Sequence, residues 1–79
     1  MKLKAQKIKD GLHPSEVVVS VSTTSGDERL VVPKRSLYED SALEIGYPIS
    51  NEPGRYLVEL PQETTSGAWR VWVNKDTVF

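Results

Sequence analysis

Residues 16–23, "EVVVSVST", place Val17, Val19, Val21 and Thr23 on one side of an extended chain and Val18, Ser20 and Ser22 on the other. Side chains alternate across a strand with a period of two, so one face of this segment is apolar and the other mixed. β-Branched side chains also suit a pleated surface better than a helix. The segment reads as a strand with one buried face. That constrains its neighbours, because a one-residue slip would turn their apolar side chains to solvent.

Three connections obey that constraint. "TSGDE" is a turn signal, after which "RLVVP" resumes an extended run. A two-residue turn at Gly26-Asp27 pairs Val21 with Val32 and Thr23 with Leu30, whereas a turn at Ser25-Gly26 pairs Val21 with Leu30. Either way Val17, Val19, Val21, Leu30 and Val32 share a face, because directly opposed residues do. In "LEIGYPI", Leu43, Ile45, Tyr47 and Ile49 alternate to one side. A Pro53-Gly54 turn then pairs Ile49 with Val58 and Tyr47 with Leu60. Pro48 lacks an N–H, so its strand is expected at an edge or a bulge. Turning at Ser66-Gly67 pairs Leu60 with Val73 and Glu63 with Arg70. Tyr56, Val58 and Leu60 then share the inner face with Trp69, Val71 and Val73. Even-numbered loops throughout give one consistent interior.

A chain of 79 residues makes one domain. At that size only roughly 60% of the unfolded chain's surface is buried, and no cysteine is present to add a disulfide or a thiolate metal site. Net charge is −1, but it is unevenly spread. Lys2, Lys4, Lys7 and Lys9 give residues 1–9 a charge of +4; the other six basic side chains face all eleven acidic ones, leaving −5. The expected organisation is a basic arm over residues 1–13, able to add a strand, and a single β domain over residues 14–79. "MKLKAQKIKDG" has no long apolar run of the secretory type, and no stretch reaches the ~20 apolar residues of a spanning helix, so a cytoplasmic protein is expected.

Short strands separated by turns indicate an all-β fold, a small antiparallel barrel of five to six short strands. "PKRSLYEDSA" has neither period and reads as an irregular connection. The last third, "GAWRVWVNKDTVF", has a tryptophan-led strand, a polar tight turn and a brief apolar strand carrying Val78 and Phe79. In this it resembles the end of an SH3-like barrel. The resemblance implies architecture and no function. The acidic loop and paired aromatic residues of peptide-binding SH3 domains are not in place.

Catalytic chemistry has little to draw on. His13 is the only histidine and precedes Pro14. Ser15 lies nearby without a nucleophile-elbow motif. Asp27-Glu28 and Glu39-Asp40 are adjacent carboxylates in polar segments, a pattern normally solvated. Neither EF-hand spacing nor a phosphate-cradling glycine loop is present. No catalytic residue, metal ligand or cofactor is expected.

Strand parity leaves Trp72 and Arg70 on the outer face, opposite Trp69, with Val18, Val31 and Leu57 as further outward apolar residues. An indole left in water forfeits up to ~2–3 kcal/mol of burial. Trp72 could be covered by Leu3, Ala5 or Ile8 of the arm, by a second copy or by a ligand; a bulge at Gly67 or Ala68 would exchange the two tryptophans. Tryptophan and arginine are enriched at binding hot spots. The function expected is a noncatalytic protein-interaction module that docks on another protein or on itself through Trp72, Arg70 and Leu57. The alternative is a nucleic-acid accessory protein, with Lys2, Lys4, Lys7, Lys9, Lys34 and Arg35 on phosphates and an exposed aromatic stacked on a base. The acidic body counts against that alternative.

Overall fold

A computed structural model of the chain describes residues 1–79. The fold is all-β, with nine short antiparallel strands in three three-stranded sheets that do not close into one barrel. β1 (Lys2–Lys4), β6 (Ala42–Glu44) and β5 (Leu37–Tyr38) form the first sheet. β2 (Gln6–Asp10), β3 (Glu16–Thr23) and β4 (Gly26–Pro33) form the second, and β7 (Ser50–Glu52), β8 (Arg55–Glu59) and β9 (Arg70–Asn74) the third. Single 3₁₀ turns span Lys34–Ser36 and Lys75–Thr77. No helix is long and apolar enough to cross a membrane.

The valine alternation in β3 sets the core. Val17, Val19 and Val21 are buried, and Val17 and Val19 lie opposite the buried Val32 and Leu30 of β4. The turn, however, is centred on Thr24-Ser25, so Val21 lies opposite Glu28, not Val32 or Leu30. Thr23 explains the choice. Its Oγ1 donates to the Gly26 carbonyl at 2.6 Å and accepts from the Ser25 N–H at 3.1 Å, satisfying turn groups with a side chain. Moving the turn by one position moves each pairing by two residues, so the inner face survives.

The Pro53-Gly54 turn forms as read, with Glu52 opposite Arg55 and Ser50 opposite Leu57. Gly54 has φ of +82°, the conformation a type II turn demands after proline. Upstream the expected strand breaks: Leu43 and Ile45 are buried, but the chain leaves the sheet after Glu44, and Tyr47 is 88% exposed. Tyr47 and Ile49 therefore do not join the interior. Pro48, with no N–H for a ladder, lies in this break.

The connection from β8 to β9 also differs. Val58 lies opposite Val71 and Tyr56 opposite Val73, a register four residues from the one that a Ser66-Gly67 hairpin would impose. Residues 64–68 instead dock on β4. Thr65 N–H donates to the Arg29 carbonyl at 2.8 Å, and Ser66 Oγ donates to Glu28 Oε1 at 2.5 Å. Thr64, buried, accepts the Ala68 N–H on its hydroxyl at 3.0 Å. The chain then bends at residue 69 before β9 begins, and Trp69 is 50% exposed. Trp69 is not a core residue.

Residues 1–13 hold β1 and β2. Leu3 is fully buried among Val17, Val19, Leu30 and Leu43 in the common core. Lys2 exchanges backbone hydrogen bonds with Phe79 at 2.7 and 2.8 Å, and Leu3 bridges Val78. The last two residues thus make an isolated bridge, not a strand. β2 pairs with β3 through a bulge between Lys7 and Lys9. A bulge and two lysines on an outer strand hinder edge-to-edge pairing with another sheet.

Candidate functional site

The outer face of β7–β8–β9 brings Trp72, Arg70 and Leu57 together. Leu57 lies directly opposite Trp72, and Glu59 opposite Arg70 in the next outward-facing pair. The inner side of the same strands is closed by Val58, Val71 and Val73, so the outward side chains cannot share that core. Trp72 is fixed through its backbone on both sides. It is in register with Leu57 on one, and its carbonyl accepts the Thr24 N–H at 2.9 Å on the other, from the β3–β4 turn.

Arg55 supplies a cover for Trp72. Its guanidinium carbon stands 4.1 Å from the ring centroid, within cation–π range. Glu52 fixes it there, with Oε1 accepting from Arg55 Nε at 2.8 Å and ion-paired to Nη2 at 2.7 Å. At the other end of the face, Arg70 Nε donates to Glu59 Oε2 at 3.1 Å. The centre is thus a half-buried leucine–tryptophan pair between two solvent-facing ion pairs. Beyond Arg70 a groove of about 510 Å³ opens, lined by Ile45, Tyr47, Ile49, Leu60 and Pro61. None of Leu3, Ala5 and Ile8 covers the indole by adding a strand here, since β1 and β2 pair with β6 and β3.

Arg55, Glu52, Tyr47 and Ile49 were not among the expected contact residues. For the first two the signal was available. A two-residue Pro53-Gly54 turn sets Glu52 opposite Arg55, and even spacing puts Arg55 on the side of Leu57 and Trp72. Nothing in the alternation of 43–49 marks the break that releases Tyr47 and Ile49.

The basic residues are dispersed. Lys2 and Lys4 lie on β1, Lys7 and Lys9 on β2, and Lys34 and Arg35 in the first 3₁₀ turn. Lys2 Nζ lies 4.7 Å from the Tyr38 ring centroid, and Lys7 pairs with Asp10 at 3.4 Å. Lys4 lines a cavity of about 410 Å³ shared with Ser20, Ser22, Asp27 and Ser41. No three or more of His, Asp and Glu gather in metal-binding geometry. His13 is exposed on the β2–β3 connection, where its carbonyl accepts the Glu16 N–H. Glu28 is held below its ordinary range: the hydroxyls of Ser66 and Thr64 stabilise its carboxylate and lower its pKa. It serves the loop contact and lines none of these cavities. No protein-family model, curated protein or solved structure matches the chain.

Proposed function

We propose that this chain is a noncatalytic protein-interaction module that works in the cytoplasm and docks on another protein through the outer face of β7–β8–β9. One observation carries the reading: Leu57 and Trp72 form a cross-strand apolar pair on the solvent side of a sheet whose other side already closes the core. Arg55 and Arg70 frame that pair, and the groove at Tyr47 and Ile49 extends it. Aromatic and arginine side chains with a polar rim make up the usual energetic centre of a protein interface. The test is capture of a partner by immobilised protein. Capture is lost in Trp72→Ala and Leu57→Ala while far-UV circular dichroism is unchanged. Capture undiminished in both folded variants would contradict the reading.

In architecture we read the three sheets as a distorted SH3-like barrel. The C-terminal third supports this, with β9 followed by the 3₁₀ turn at 75–77 and the Val78–Leu3 bridge. A second functional reading has one observation in its favour: Lys2, Lys4 and the exposed Tyr38 lie on one sheet, suited to a phosphate backbone and a stacked base. It requires affinity for single-stranded nucleic acid that falls steeply as salt rises. Binding unaffected by moderate salt would exclude it.

A further inference from the structure

The β2–β3 connection holds a leucine in water. Leu12 is fully exposed, yet backbone hydrogen bonds close the segment that carries it. Gly11 N–H donates to the Glu16 carbonyl at 2.9 Å, and Glu16 N–H donates to the His13 carbonyl at 3.0 Å. A Cβ at residue 11 would stand 2.8 Å from the Glu16 Cβ, so glycine is what permits this closure. The backbone that carries Leu12 is therefore held by this closed turn, and its side chain projects from it into solvent as an apolar knob.

Beside it lies a recess of about 270 Å³, bordered by Leu12, Val18 and Val31 and by Lys9, Asp10 and Glu16. Val18 and Val31 are opposed residues on the outer face of β3–β4, and Val31 is 39% exposed. One small patch thus carries an apolar projection, an apolar hollow and charges of both signs. A ligand of single charge would leave one of those signs unmatched. Asp10 is already paired with Lys7 of its own chain, which leaves Lys9 and Glu16 as one free charge of each sign. A two-fold contact sets each against the other, because an isologous interface places the same patch against itself. We infer that this patch pairs with a second copy of the chain, each protomer placing its Leu12 in the recess of the other and its Lys9 against the other's Glu16. The contact uses the β2–β3–β4 sheet and leaves Trp72 free, so it stands apart from the docking face proposed above.

The test is solution mass by sedimentation equilibrium on the full chain, from about 10 µM to 1 mM, the range expected of a weak small interface. The 8.8 kDa mass rises toward double in the wild type and in Trp72→Ala, and stays monomeric in Leu12→Asp and Val31→Lys. Circular dichroism of each variant establishes that it is folded, and either of the last two suffices. A wild type still monomeric at 1 mM overturns the inference. So does doubling retained in a folded Leu12→Asp, or doubling that disappears in Trp72→Ala.

Discussion

Arg55 lies over the ring of Trp72, 4.1 Å from guanidinium carbon to ring centroid, and Glu52 holds it there through one hydrogen bond and an ion pair to a single carboxylate oxygen. This relationship shelters the outward indole of Trp72 on a sheet whose inner side is already filled. The indole is shielded by a cation from its own sheet, not by the core. Trp69, which parity alone would bury, turns outward at the bend before β9.

Removing the shield should expose the indole without unfolding the domain. Arg55→Ala is expected to cost about 0.5–1 kcal/mol, the value of an exposed cation–π contact with a surface ion pair adding little. In a Trp69→Phe background, acrylamide quenching of Trp72 should rise on that substitution. Unchanged quenching would mean that the arginine does not cover the ring in solution.

Leu3→Ala and Trp72→Ala should differ sharply in urea. Leu3 is fully buried, and its truncation should cost about 2–5 kcal/mol, a large share of what a domain this small possesses. Trp72→Ala should cost about 1–2 kcal/mol, since its ring is half-buried against surface groups. If the order reverses, Trp72 is core and the docking face loses its basis.

Glu39 and Asp40 turn the chain between β5 and β6 with φ of +52° and +59°, a conformation that costs roughly 1 kcal/mol or more in a residue with a Cβ. Asp40→Gly should raise stability by about 0.5–1 kcal/mol, or several degrees in melting temperature at this size. A lower melting temperature would show that Asp40 makes a contact worth more than the relieved strain.

Glu28 predicts a pH dependence. Its folded pKa is depressed by the hydroxyls of Ser66 and Thr64. Its stabilisation is therefore complete above the unfolded value near 4.5 and is lost as pH falls through the lower folded value. Wild type should exceed Glu28→Gln in urea midpoint at pH 7, and the gap should close in acid below that range. A gap that widens in acid would assign the carboxylate the opposite sign.

Much of this was legible because strand parity is robust. Val17, Val19, Val21, Leu30 and Val32 are interior although the first turn was placed one or two residues too late, since every even shift preserves the face. Leu57, Arg70 and Trp72 fall together for the same reason. What parity could not show was where a strand stops. Tyr47 continues the alternation of Leu43 and Ile45, yet the chain has already left the sheet. Ser66-Gly67 has turn chemistry, but Thr65 and Ser66 spend it on β4, carrying the loop away from a hairpin and Trp69 out of line. These are long-range contacts, and local propensity carries no trace of them. Residues 1–13 show the converse: the lysines mark a basic arm able to add a strand, and it is the single leucine between Lys2 and Lys4 that ties it into the core.

The most direct test of the docking face is a nitrogen–proton correlation spectrum of isotope-labelled protein as extract of its own cells is added. Selective broadening of the Trp72 indole N–H and of backbone amides in residues 55–59 and 70–74, abolished in Leu57→Ala, is the expected result. Broadening confined to the lysine-bearing β1 and β2, with the Trp72 indole unchanged, would contradict it.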